Sequence, residues 1–200
     1  MTIQGAAAEI VRELAPFCQR IEVAGSIRRG KPDPHDIEIL AVPDLATVTV
    51  QVNMFETHEV QENRLDEELK VWRTLGKIGD RLDKNGRPAY GERFKRLWYL
   101  ADREWYALDL FSVLPPMAQW GVLFAIRTGP AEFSHLLVTS RVYGGAMLPG
   151  YRVAGGALWR LEEMIPTPEE GKFFAALGLP TWPPAERSAD CLRAWLSERR

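Results

Sequence analysis

Apolar residues recur every three or four positions near the N-terminus. Ala6, Ile10, Leu14 and Phe17 fall on one stripe, and Ala7 and Ala8 raise helix propensity, so the spacing predicts a helix over 3–19. A strand is expected at about 20–24, closed by the tight Gly25-Ser26. Residues 36–42 (DIEILAV) read as a mostly buried strand stopped by Pro43, and TVTVQV at 47–52 as another. Over 62–75, Leu65, Leu69, Trp72 and Leu75 line up while Glu62, Asp66, Glu67 and Lys70 face away, which predicts an amphipathic helix. Loop signals follow at Gly79, Asn85-Gly86, Pro88 and Gly91. Two strand-like runs, 94–100 and 104–113, then flank Ala101-Asp102-Arg103 as a hairpin.

Pro115-Pro116 interrupts the pattern. Beyond it, 117–127 is apolar, Thr128-Gly129-Pro130 forms a turn, 130–140 reads as a short helix, and glycines punctuate short strands as far as Trp159. Pro166-Thr-Pro-Glu-Glu is expected to open a final helix, with Thr167 as its cap and Pro168 in its first position. The alternation of strands and helices gives an α+β chain with a larger unit over 1–114 and a smaller α+β unit over 115–200.

Composition changes this picture little. The chain has 200 residues, 46% hydrophobic and 26% charged, which excludes disordered and fibrous classes. Its apolar runs are only a few residues long, against about 20 for a membrane span, and MTIQGAAAEIVREL lacks the basic start and apolar run of a signal peptide. Cys18 and Cys191 form no CxxC, so neither a disulfide framework nor a zinc site is indicated. A soluble, cytoplasmic protein is expected, without a membrane partner. The 25 basic against 27 acidic residues give a net charge of −2, which argues against gripping nucleic acid by bulk electrostatics. Locally the balance differs: residues 77–103 hold eight Lys/Arg against four acids, interleaved with Tyr90, Phe94, Trp98 and Tyr99. That segment, with Arg93, Lys95 and Arg96, is either a track for a nucleic-acid backbone or a solvated hairpin face. The seven tryptophans are expected to fill cores rather than stack bases, and His35, His58 and His135 show no ligand spacing.

Three features carry candidate chemistry. The first is Gly25-Ser26-Ile27-Arg28-Arg29-Gly30-Lys31, placed after a strand: a glycine admits a phosphate close to the backbone, Ser26 adds a hydroxyl donor, and the basic residues add charge. It is neither a Walker A loop nor a dinucleotide fingerprint. The second is Asp36-Ile37-Glu38, whose carboxylates on a strand project to one face about 7 Å apart. Among Ile37, Ile39, Leu40 and Val42 such a pair calls for a partner, and hard oxygen ligands suit Mg²⁺. The third is Asp109, alone in the apolar run Leu108-Asp-Leu-Phe. Three carboxylates holding two metal ions beside a triphosphate loop are what nucleotidyl transfer requires. A wet edge strand or a basic surface turn is the competing reading of each feature taken singly.

The stretch GSIRRGKPDPHDIEIL resembles the nucleotidyltransferase signature of family X DNA polymerases, a GS motif followed on the next strand by acid-x-acid. Asp36 falls ten residues after Ser26, and Asp109 matches the third catalytic aspartate. Trp120-Gly121-Val122-Leu123 and Arg127-Thr128-Gly129-Pro130-Ala131-Glu132-Phe133 resemble the segment and helix that bind the nucleotide, and 166–180 with 183–188 resembles the end of the thumb. The likeness is greatest to the compact phage and viral forms. It implies a palm over 1–114, with a mixed β-sheet and flanking helices, and a small α+β thumb over 115–200. Asp36, Glu38 and Asp109 would hold two Mg²⁺ ions, with Mn²⁺ as the substitute. Gly25, Ser26 and Arg29 would receive the phosphates, and Thr128, Gly129 and Phe133 the sugar and base. The implied activity is addition of dNTPs to a primer 3′-hydroxyl on primer-template or gapped DNA, with release of pyrophosphate, by a monomer in the cytoplasm (a host's, if phage-encoded).

Several positions depart from the pattern. Glu38 replaces an aspartate, Arg127 an aromatic residue, Ser134 an amide that touches the base edge, and Ala107 a supporting arginine. Only 24 residues precede Gly25, so no lyase activity and little processivity are expected. A template-independent or RNA-, tRNA- or protein-directed nucleotidyltransferase is the alternative within enzymes. A non-catalytic nucleotide- or DNA-binding module is the alternative outside them.

Overall fold

A computed structural model describes residues 1–54, 56–114 and 119–198; the expected unit boundary at Pro115-Pro116 lies outside them. Helix α1 (Ile3–Leu14) starts where the Thr2 hydroxyl accepts the Gly5 N–H at 3.1 Å. It stops short of the periodic stripe because Pro16 has no N–H to continue it, and a 3₁₀ turn over Ala15–Phe17 carries the chain on. Then come β1 (Cys18–Val23), the single turn α2 (Gly25–Arg28) and β2 (Ile37–Pro43). Strands β3 (Leu45–Asn53) and β4 (Glu56–Asn63) form a separate two-stranded ribbon, mostly exposed on both strands. Helix α3 (Arg64–Thr74) is capped by Asn63, whose side-chain oxygen accepts the Asp66 N–H at 3.1 Å, and Gly76 in the left-handed region follows its end. Three more strands follow: β5 (Ile78–Asp80), β6 (Phe94–Ala101) and β7 (Glu104–Ser112).

Five of these strands make one mixed sheet in the order β1-β2-β7-β6-β5, in which β2 and β7 run parallel and the other neighbours antiparallel. Its inner face packs on α1 and α3: Ala6, Ile10 and Leu14, then Leu65, Leu69 and Trp72, meet Ile37, Ile39, Leu97, Tyr99, Leu108 and Leu110. Period-two alternation turns the intervening residues outward. On that outer face, one end of the sheet (Leu40, Phe111, Val113) is covered by Trp120 and Phe124 of α4 (Trp120–Thr128). Further along this face Trp98 and Trp105 are exposed.

Beyond α4 come α5 (Ala131–Val138), the three-stranded meander β8 (Tyr151–Ala154), β9 (Ala157–Arg160) and β10 (Glu163–Ile165), then α6 (Glu170–Ala176) and α7 (Ala189–Ser197). Phe133, Leu137, Leu158, Phe173, Phe174 and Leu192 form their own core. Thr167 is not a helix cap. Its N–H and hydroxyl both reach the Gln119 side-chain oxygen, and α6 begins three residues later, at Glu170. A buried ion cluster ties this unit to the sheet: Arg28 of α2 makes two bonds to Glu170, at 2.8 and 2.7 Å, and Arg187 adds a third at 2.7 Å. The mixed α+β architecture with flanking helices is as the sequence led us to expect.

Candidate active site

The turn after β1 requires glycine twice over. Gly25 has φ +62°, and a Cβ there would lie 1.8 Å from Glu38 Oε2, so the carboxylate leans into the space a side chain would fill. The Ala24 N–H donates to the Glu38 carbonyl at 2.7 Å and pins this turn against β2. Next to it the Ser26 hydroxyl is buried and, among the described residues, has no hydrogen-bond partner, so its donor is available to a ligand. The arginines of the motif turn inward instead. Arg28 bonds the Thr128 hydroxyl at 2.7 Å and lies 3.7 Å over the Phe124 ring, and Arg29 donates to the Thr128 carbonyl at 2.7 Å. Arg28 therefore holds α2 to α4 and α6.

The parallel register of β2 and β7 sets Glu38 directly opposite Asp109, with Asp36 just ahead of the strand. Burial drives the Glu38 carboxyl up to about 7, and Asp36 and Asp109 push the same way, while Arg127 and Arg29 oppose them. Asp109 is nearly buried. Its Oδ1 accepts from Arg81 and, at 3.4 Å, from Arg96 Nε. Among the described residues no three acidic, His or Cys side chains converge closely enough to hold a metal ion in this arrangement, because the Asp109 carboxylate is turned to Arg81. The donor set nonetheless fits a hard cation. It consists of oxygens only, on or just ahead of adjacent strands, with the Glu38 carboxyl raised by burial and then by its acidic neighbours, a state that a divalent cation relieves.

A pH dependence follows. Glu38 has a folded-state pKa of about 7 against an ordinary value of 4.5, so the native state binds its proton more tightly. Its contribution is complete below 4.5 and is lost as the pH rises through about 7. Thermal melts in EDTA are expected to show stability falling across that window, and Glu38→Gln is expected to flatten the curve there; an unchanged slope would rule this out.

The residues expected to receive sugar and base lie elsewhere. Phe133 is fully buried in the C-terminal core, its ring centroid 5.9 Å from that of Trp182, and cannot line a nucleotide. Thr128 is buried with both its oxygens bonded to Arg28 and Arg29. At Gly129 a Cβ would strike Ser134 Oγ at 2.5 Å, so this glycine serves close packing, and Ser134 itself donates to the Ile126 carbonyl at 2.6 Å. Helices α4 and α5 turn these side chains into their own core. Lys95 likewise leaves the set of nucleic-acid contacts: it is 1% exposed on the inner sheet face, bonded to Asp66 at 2.8 Å and to the Gly91 carbonyl at 3.0 Å. Arg93 and Arg96 stay on the outer side.

No protein-family model matches this chain, and no curated protein matches it.

Two cations that sequence reasoning did not place at the site face the carboxylates. One is Arg81. The other is Arg127, recorded only as a departure from a pattern. Burial lowers its pKa, and Glu38 and Asp109 hold it up. Arg127 lies 3.9 Å over Phe111 and lines a cavity of about 310 Å³ with Arg93, Phe94, Ser112 and Gly156. The Ser112 hydroxyl is buried and, among the described residues, has no hydrogen-bond partner. A lone arginine within the apolar run WGVLFAIRT was the available signal. Among the described residues, no helix is long and apolar enough to cross a membrane.

Proposed function

We propose that this chain is a divalent-metal-dependent nucleotidyltransferase, and specifically a small family X-like DNA polymerase with 1–114 as palm and 115–200 as thumb. The observation that carries the reading is the register that sets Glu38 opposite Asp109 on parallel strands, with Asp36 just ahead, beside a Gly25-Ser26 turn whose hydroxyl is buried without a partner among the described residues.

Asp36, Glu38 and Asp109 would hold Mg²⁺ or Mn²⁺, which when bound lowers the pKa of an attacking hydroxyl and neutralises charge on the leaving pyrophosphate. The protein's own contribution is positioning. The Ser26 hydroxyl donates to a phosphate oxygen, and Gly25 keeps the backbone low enough for that approach. Arg127, beside both Glu38 and Asp109, balances phosphate charge from the α4 side. To hold the cation Asp109 would have to give up Arg81, whose guanidinium would then be available on the outer face for nucleic-acid phosphates.

Burial of Phe133 and Ser134 removes the groups that would read sugar and base, and this favours transfer without template control as the second reading. The decisive assay offers labelled dNTPs and NTPs with Mg²⁺ or Mn²⁺ on gapped DNA, on primer-templates of each templating base, and on single-stranded DNA and RNA. Incorporation that follows the templating base is expected. Untemplated tailing or RNA labelling would shift the reading to the second activity, and no transfer to any acceptor would overturn both.

A further inference from the structure

Along the outer sheet face, residues lie in rows across the strands. Arg96, Asp109 and Glu38 share one row, and the neighbouring rows are Gly79-Trp98-Ala107 and Leu100-Trp105. Trp98 and Trp105 are 39% and 51% exposed, against the expectation that the tryptophans fill cores. They border a concavity of about 510 Å³ together with Gly79. Trp98 has a glycine on one side and an alanine on the other, so no tall side chain in its own row walls in the indole.

The rim is cationic. Arg81 lies 5.8 Å over the Trp98 ring, Arg96 is next in line towards the acids, and Arg103 sits at the β6–β7 turn with φ +65°. Of the nearby acids, Asp80 pairs with Arg73 at 2.8 Å and Asp102 with the N-terminal ammonium at 3.0 Å, while Glu104 accepts from the Tyr106 hydroxyl at 2.9 Å and keeps its charge. Among the described residues, no ion pair engages Lys84, Arg87 or Arg103. Exposed aromatic faces within a basic rim attract a polyanion that carries flat rings.

We infer that Trp98 and Trp105 form a stacking shelf for the unpaired bases of a single-stranded nucleic acid, which leads that unpaired strand towards the carboxylate row. This rests on the nucleotidyltransferase reading and adds to it the class of nucleic acid held beside the site. Two residues along a strand span about 7 Å, so Trp98 stands about two stacked-base steps of 3.4 Å from Asp109, and Trp105 about as far again. A duplex has its bases already stacked and offers the indoles only its ends. The shelf therefore selects single strands, with aromatic stacking for affinity and the arginine rim for the backbone.

Fluorescence anisotropy of a short labelled oligothymidylate, at low salt in EDTA, tests this. Trp98→Leu and Trp105→Leu are each expected to weaken binding about 10-fold, Trp98→Phe to retain most of it, and Arg103→Gln to make the salt dependence shallower. Thermal unfolding and circular dichroism of the same variants check the fold. Wild-type affinity in both leucine variants, absence of binding by the wild type, or a preference for duplex would overturn the shelf. So would a face that instead joins two copies of the chain, seen as a dimer that Trp105→Leu dissociates. Binding in EDTA is independent of transfer. Its failure while the wild type still transfers nucleotides would remove the shelf alone, and tryptophan-dependent binding without any transfer would remove the transferase reading alone.

Discussion

Asp109→Asn is expected to abolish Mg²⁺-dependent nucleotide incorporation, by at least about 10³-fold, with the fold retained. Asparagine keeps the volume and one oxygen but removes the negative charge that a cation needs, at the one position facing Glu38 across the parallel ladder. The substitution also deprives Arg81 and Arg96 of their shared carboxylate. Some loss of stability should therefore accompany the loss of activity, since a partly buried guanidinium is left uncompensated. Thermal unfolding separates the two effects: a small drop in Tm with activity gone supports a catalytic role, whereas retained incorporation would dismiss it. Single-turnover incorporation at saturating nucleotide is the suitable readout, because it isolates the transfer step from nucleotide binding.

The elements that the sequence made legible are those whose periodicity is enforced by a buried face. Leu65, Leu69 and Trp72 repeat at helical spacing because they pack against the sheet, and burial alternates along β6 because one of its faces packs on the helices. Strand β4 was illegible: ETHEVQEN buries almost nothing, and pairing with β3 alone makes it a strand. At three residues, β5 is too short to show a period. The carboxylates were legible for a physical reason, since an acid inside an apolar strand is conspicuous without a partner. Which way a side chain faces was less so. Phe133 and Lys95 were placed at the site by position, but packing of α5 and the pleat of β6 turn them away. Conversely, Trp98 and Trp105 are exposed because, among the described residues, no helix lies over the outer face of β6 and β7 beyond Asp109, a property of topology that no local pattern encodes.

Glu170→Ala is expected to destabilise the chain by about 3–5 kcal/mol, lowering Tm by roughly 6–20 °C at the about 2–4 °C per kcal/mol usual for this size. Glu170 is 8% exposed and Arg187 3%, and two guanidiniums converge on the one carboxylate. Burial would raise the Glu170 pKa, but the hydrogen bonds from Arg28 and Arg187 outweigh it and hold it below the ordinary 4.5. The sign is that of a depressed acid: its stabilisation is complete above 4.5 and disappears as the pH falls through the lower folded-state value. Glu170→Gln should therefore remove part of the acid-side slope of the stability curve. The loss comes mainly from the cations left behind, so converting both Glu170 and Arg187 to methionine should cost less than Glu170→Ala alone. A double change as costly as the sum of the singles would show that the two side chains act independently. The cluster also reaches the site, because Arg28 belongs to the same turn as Gly25 and Ser26. A Glu170 variant that still folds should thus bind the nucleotide more weakly, raising KM more than it lowers kcat.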